Sequence, residues 1–142
     1  MPITQEEIVE LNQRFHKVVA SHGDAEAQGA FFLYSDARLV VPHGHEYTFQ
    51  EHYELHLEFE DERFIDPPEW EITQLRTDPD RARAIGNVYW EGRPVAEPPG
   101  SLLKVMVREE WIVERTPDGL KYVLYQSTSH TPLPDSSPLT QF

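Results

Sequence analysis

The chain contains no cysteine, which excludes disulfides, thiolate nucleophiles and cysteine-ligated zinc. Basic residues are few and scattered: 12 Lys and Arg stand against 25 Asp and Glu, a formal charge of −13. A nucleic-acid binder needs a basic patch to replace phosphate counterions, so neither nucleic acid nor an anionic membrane surface is an expected partner. A neutral or cationic small molecule, or another protein, stays open. No run of about 18 apolar residues is present, so no membrane-spanning helix is expected. The segment MPITQEEIVE has neither a basic stretch nor an apolar one, so no secretory signal is expected, and with the missing cysteines this fits a cytoplasmic protein. A Gly-rich phosphate-binding loop is also missing.

What the chain does have is histidine. Five of its seven histidines are His16, His43, His45, His52 and His56, and the last four fall within the segment PHGHEYTFQEHYELH. Histidine alone has an unperturbed pKa near neutrality, so this cluster marks the expected site of function.

A chain of 142 residues suffices for one domain with a proper core. Thr4 and Glu7 form a T-x-x-E capping box, and Ile8, Leu11, Phe15, Val18, Val19 and His22 follow at helical spacing. Gly23 is the expected left-handed residue ending that helix. Asp24 caps a second helix predicted over residues 25–34, and a short strand over 37–41 stops at Pro42. Thr48 and Glu51 repeat the capping box and open a third helix predicted to reach Phe59 or Arg63. After Pro67 and Pro68 the pattern becomes strand: alternation around Trp70 to Leu75, then long strands over 82–91, 102–115 and 120–129. Residues 134–142 are expected to be an extended or disordered tail behind a single domain of residues 1–133. Three helices followed by an antiparallel meander give an α+β domain, its helices packed on one face of a curved, mostly antiparallel sheet that forms a cone with an internal cavity.

This order of elements resembles the nuclear transport factor 2-like superfamily, with its ketosteroid-isomerase and SnoaL-like polyketide-cyclase branches. The residues that carry the resemblance are the helix ending at Gly23-Asp24, the passage Phe31-Phe32-x-x-Ser35-Asp36-Ala37 into the strand ending Val41-Pro42, the capped helix after Tyr47-Thr48, and the last strands with Trp111 and YQSTSHTP. The fold serves isomerases, dehydratases, cyclases and plain binding proteins, so it does not by itself name an activity. In the ketosteroid-isomerase branch a carboxylate base directly precedes the Pro ending the first strand. Val41 stands there, so that base is missing. The branch's oxyanion-stabilising tyrosine corresponds to His16. The resemblance also implies a homodimer paired through the open sheet face, for which Tyr89, Trp90, Trp111 and Tyr122 are the aromatics that would suit.

On a helical wheel Phe49, His52, Tyr53, His56, Leu57 and Phe59 share one face, with His52 and His56 one turn apart. Such a pair can bind one divalent metal or place a general base beside its orienting partner. It also fits the margin of an amphipathic face, hydrogen-bonded to Glu51, Glu54 or water. HYELH lacks the Glu placement of a zinc-protease helix. His43 and His45 belong to the loop where the mouth of the cone is expected, either as ligand contacts or as an exposed turn. His22 is expected to serve the helix dipole and His130 to be exposed. Candidate lining from the strands is Asn87, Tyr89 and Trp90, then either Met106, Arg108 and Glu110 or, on the other face, Val107, Glu109 and Trp111, and Tyr125 or Gln126 from the last strand. One of Glu109 and Glu110 must point the unusual way, where an apolar cavity would raise its pKa, unless a cross-strand salt bridge claims it.

The reading that follows is a small-molecule enzyme of the lyase, isomerase or cyclase kind, without an organic cofactor and without metal. His16, His52 and His56 are its expected catalytic residues. His43, His45, Phe49, Tyr53, Asn87, Tyr89 and Trp111 are its expected substrate contacts. The alternative is a non-catalytic ligand-binding or dimeric assembly module.

Overall fold

The computed structural model describes residues 2–42, 44–65, 72–95 and 101–137. Helix α1, Gln5–Ala20, starts at the expected capping box, where Glu7 N donates to Thr4 Oγ1 at 3.2 Å and Thr4 N to Glu7 Oε1 at 3.1 Å. Its apolar stripe of Ile8, Leu11, Phe15 and Val19 is buried, and Asn12 and His16 are buried beside it. The left-handed residue at its end is His22, with φ 59°, and not Gly23. Gly23 is needed for a different reason: a Cβ there would overlap the Val18 side chain and lie 2.9 Å from Val18 O.

Helix α2 is shorter than predicted, Ala25–Gly29. Beyond it the backbone turns to the sheet, with Leu33 N donating to Tyr122 O at 2.9 Å and Tyr122 N to Phe31 O at 2.8 Å. Strand β1 (Leu39–Val40) pairs with β2 (Glu46–Tyr47), which the sequence pattern did not suggest. Helix α3, Phe49–His56, opens at the second capping box, with Glu51 N donating to Thr48 Oγ1 at 3.0 Å. It ends well before Arg63, because Phe59–Ile65 is strand β3, paired antiparallel with β5. Strands β4 (Ile72–Thr77), β5 (Arg81–Pro94), β6 (Leu103–Thr116) and β7 (Gly119–Pro132) complete the meander.

The sheet runs β2-β1-β7-β6-β5-β3, with β4 also on β5. All pairings are antiparallel except β1 with β7, where Leu39 faces Tyr125. Register shifts at Arg108/Glu109 and Ile112/Val113 interrupt the β6–β7 ladder; such bulges bend a strand and increase its twist. Along β5 and β6 alternate residues are buried, and Ala82, Ala84, Val88, Trp90, Leu103, Val105, Val107, Trp111 and Val113 meet the α1 stripe in one core.

Of the four aromatics expected to pair copies of the chain, Trp90, Trp111 and Tyr122 are 5%, 0% and 0% exposed, inside this core. The alternation of β5 sends Tyr89 to the other face, where it is half-buried. The expected tail is in part fixed: Leu133 N donates to Lys104 O, Ser137 N to Leu102 O, and Lys104 Nζ pairs with Asp135 at 2.6 Å. Residues 138–142 of that expected tail lie outside the described residues. Among the described residues no helix is long and apolar enough to cross a membrane.

Candidate active site

Inside the curl of the sheet, under α1 and α3, is a cavity of about 160 Å³. Phe15, Leu39, Phe59, Phe64 and Val107 give it apolar walls, into which His16, His52, His56, Glu109, Tyr125 and Ser127 bring polar groups. Val41 lines it as plain hydrocarbon at the position where the ketosteroid-isomerase branch has its base.

One polar group sits where α3 meets β3. Gln28 Nε2 donates to Gly23 O at 3.0 Å, so its amide oxygen is the atom facing His52 Nδ1, 2.7 Å away. His52 Nδ1 must therefore carry a proton, and in the neutral ring its Nε2 is a lone pair. That atom lies 3.1 Å from His56 Nε2. His56 Nδ1 in turn makes a short hydrogen bond with Glu62 Oε1, which also accepts from Trp90 Nε1 at 3.0 Å. Glu62 Oε2 is 3.4 Å from His22 Nε2.

Burial sets the charge state of this group. It holds His56 down at about 3, helped by the charge of His22, and pushes His52 well below the usual imidazole value, helped by His56. It also raises Glu62 to about 7, opposed by the Trp90 hydrogen bond and by His22. With Glu62 protonated, below about pH 7, Glu62 donates to His56 Nδ1, His56 Nε2–H to His52 Nε2, and His52 Nδ1–H to Gln28, and both rings are neutral. Once Glu62 ionises, His56 Nδ1–H points at the carboxylate. Two Nε2 lone pairs then face each other across 3.1 Å on the cavity wall, a seat for one proton.

The second polar group is held by α1, β6 and β7. His16 Nε2 is 3.0 Å from the Tyr125 hydroxyl and 3.9 Å from Glu109 Oε1, and its ring stacks on Phe64 at 4.3 Å. Glu109 accepts from Trp111 Nε1 at 3.3 Å and from Ser127 Oγ at 3.2 Å. Burial keeps His16 down at about 3, with His52 and His56 adding repulsion, and raises Glu109 to about 7 against the hydrogen bonds of Tyr125, Ser127 and Trp111. Tyr125 is held well above its usual value, first by burial and then by the charge of Glu109. Below about pH 7 this wall offers the Tyr125 hydroxyl and the Glu109 carboxyl as donors.

The structure brings together His16, His52 and His56, the three histidines singled out for chemistry, and places His45 at the rim against Tyr47, ring centres 4.4 Å apart. His43 lies outside the described residues. Phe49, Tyr53, Asn87, Tyr89 and Trp111 are not among the lining residues. Phe49 packs on Phe32 at 4.8 Å, because α3 turns that side toward α2. Asn87 and Tyr89 fall on the outer register of β5, where Asn87 accepts from Arg108 at 3.4 Å. Trp111 is fully buried behind the cavity, where its indole N–H donates to Glu109. His130, expected to be exposed, is half-buried at the cavity, and His22 turns to Glu62. Of the two adjacent acids, Glu110 takes the salt bridge, to Arg83 at 2.6 Å, and Glu109 points inward.

Glu62 and Gln28 escaped the sequence reading. Glu62 was hidden by extending α3 through it, and Phe59-Glu60-Asp61-Glu62 has no period-two alternation that would have marked a strand. Gln28 gave no signal, since its role exists only once α2 meets α3. Among the described residues no three His, Asp or Glu side chains converge as a metal site.

No family model and no curated protein matches this sequence. Solved structures do. A nuclear transport factor 2-like protein with a cystatin-like fold from Novosphingobium aromaticivorans superimposes with a TM-score of 0.62 at 19% identity, covering 94% of this chain and 84% of its own. A nuclear transport factor 2-like superfamily protein from Salmonella enterica gives 0.64 at 14%, covering 96% and 95%. A hexachlorocyclohexane dehydrochlorinase from Novosphingobium barchaimii gives 0.62 at 16%, covering 95% and 93%. At such identities the likeness concerns the fold, and it agrees with the element order, the curled sheet and the cavity described above. The chain has the fold of the nuclear transport factor 2-like superfamily.

Proposed function

We propose that this protein is a small-molecule lyase or isomerase that moves a proton on an apolar, oxygenated substrate by histidine acid–base chemistry. The observation that carries the reading is the facing pair of His52 and His56 Nε2 atoms, 3.1 Å apart on the wall of an apolar cavity, each ring fixed from behind by Gln28 or Glu62. A ring held at Nδ1 presents Nε2 in one orientation, the usual requirement for a general base. With Glu62 ionised, the pair takes a proton from a carbon next to a carbonyl. On the opposite wall the Tyr125 hydroxyl and the Glu109 carboxyl donate to the oxygen on which charge develops, or protonate a leaving hydroxyl. Such an elimination or isomerisation needs no redox partner. That a structure sharing the fold is named a dehydrochlorinase, an enzyme of elimination, supports the reading.

The test is deuterium uptake from D2O, and loss of water, in a panel of cyclic ketones and β-hydroxy ketones followed by proton NMR. Turnover of at least one member is expected, with a fall of about 100-fold or more in His52→Ala and His56→Ala. If no member exchanges or eliminates and none raises the melting temperature, the reading is wrong and an assembly role takes its place.

A further inference from the structure

We propose that His56, Glu62 and His22 form a proton wire from the cavity face of His52 to solvent at the C-terminal end of α1. As a catalytic device it rests on the acid–base reading above; as a path for protons it does not.

From His52 Nε2 each step is a contact between groups that can both give and take a proton: 3.1 Å to His56 Nε2, a short hydrogen bond from His56 Nδ1 to Glu62 Oε1, and 3.4 Å from Glu62 Oε2 to His22 Nε2. His56 and His22 are each entered at one nitrogen and left at the other, His52 exchanges at Nε2 alone, and Glu62 presents one oxygen to each side. Glu62 Oε2 and His22 Nε2 are both buried without a hydrogen bond among the described residues, 3.4 Å apart and within reach of one after a small side-chain turn.

Gln28, locked by Gly23 O, forces a proton onto His52 Nδ1, so only Nε2 of that ring can exchange one. When the pair has taken a proton from substrate, His52 Nε2–H passes it to His56 Nε2. His56 Nδ1–H moves to Glu62 Oε1, which leaves both rings neutral and Glu62 a carboxylic acid. A turn of the Glu62 carboxyl carries that proton from the His56 side to the His22 side, where the Nε2 lone pair of a neutral His22 takes it, and His22 releases the proton of its other ring nitrogen to water. The carboxylate is restored and no charge is left in the cavity; His56 keeps its proton on Nε2 until a ring turn returns it to Nδ1.

His52 and His56 line the inner cavity but Glu62 does not; Glu62 instead borders an outer cleft of about 330 Å³ between α1 and β3, with Lys17, Ser21 and Arg63. His16 and Phe64 border both spaces, and Glu62 links the histidine pair to the outer one. The charged and titratable groups around it are His56, His22, Lys17 and Arg63. His22 completes the exit: its Nε2 is buried against Glu62 while its side chain as a whole is 30% exposed. It also holds a left-handed φ of 59°, a conformation that glycine adopts freely and other residues rarely do. A strained histidine at a helix end where glycine is the ordinary choice points to a retained function.

The experiment reads proton exchange directly. In protein labelled with 15N at histidine, NMR measures the rate at which the ring N–H of His52 and His56 exchanges with water. Asn tolerates the left-handed conformation, so His22→Asn is the first variant. It is expected to slow exchange by tenfold or more, and Glu62→Gln by about 100-fold, while the indole N–H of Trp111 is unchanged. A ring N–H that is invisible in the native protein and appears in the variant counts as the same result. Unchanged exchange in His22→Asn, with an unchanged Trp111 signal, overturns the wire, since protons then enter through the cavity mouth; this holds even if Glu62→Gln fails to fold. Slowed exchange in a protein that turns over no ketone leaves the wire standing and removes the acid–base reading. Turnover that depends on His52 beside unchanged exchange does the reverse.

Discussion

Replacing Glu109 by Gln isolates the electrostatic cost of a carboxyl in the cavity wall. Glu109 is 4% exposed, and burial moves its carboxyl from 4.5 to about 7. That displacement corresponds to roughly 3 kcal/mol. The sign follows from proton binding. Below pH 4.5 the carboxyl is protonated whether the chain is folded or not. Between 4.5 and about 7 the unfolded chain ionises while the folded one keeps its proton, so native stability attributable to this group falls by about 1.4 kcal/mol per pH unit. Above about 7 both states are ionised and the loss is complete. Glutamine has no such titration. Its amide keeps one acceptor for Trp111 Nε1–H or Ser127 Oγ–H but turns NH2 toward the other, a pH-independent cost of about 1–3 kcal/mol. The Gln variant is therefore expected to be less stable than the native protein at pH 5 and to match or exceed it at pH 8. Urea denaturation of both proteins at half-unit intervals from pH 4.5 to 8, at constant ionic strength, gives the difference curve. A difference that does not change with pH would refute the reasoning, because Glu109 would then titrate alike in the folded and unfolded chains.

Two further substitutions probe the positioning of the histidines. Gln28→Leu removes the acceptor of His52 Nδ1–H, and is expected to cost about 1–3 kcal/mol and to abolish the Nδ1–H tautomer preference seen by 15N NMR. Gly92→Ala places a Cβ into the Trp90 ring and 3.1 Å from Phe59, and is expected to destabilise by about 1–3 kcal/mol in thermal unfolding. Loss of the Trp90 indole shift that reports its bond to Glu62 would accompany it.

Much of the fold was legible because its signals are local. The capping boxes at Thr4–Glu7 and Thr48–Glu51 depend on residues three apart, and both form. The long strands show a period of two that survives any tertiary context, and they fall where the alternation put them, within a few residues. Local signals failed where a long-range partner overrode them. Residues after Gly29 leave the helix to bond Tyr122, and residues after His56 leave α3 to pair with β5. Gly23 looked like the left-handed residue because glycine commonly is, yet a close approach to Val18 uses it and His22 takes the strained place.

By itself the sequence determined the α+β class, the acidic character and the dense set of histidines, because composition and short-range spacing suffice for each. Tertiary structure alone decided which histidines share a cavity and what stands behind them. His16 comes from α1, His52 and His56 from α3, Glu62 from β3 and Glu109 from β6. A side chain's protonation depends on burial and on partners distant in the chain, so only their convergence could order His16, His22, His52 and His56 against the carboxyls and the amide that hold them.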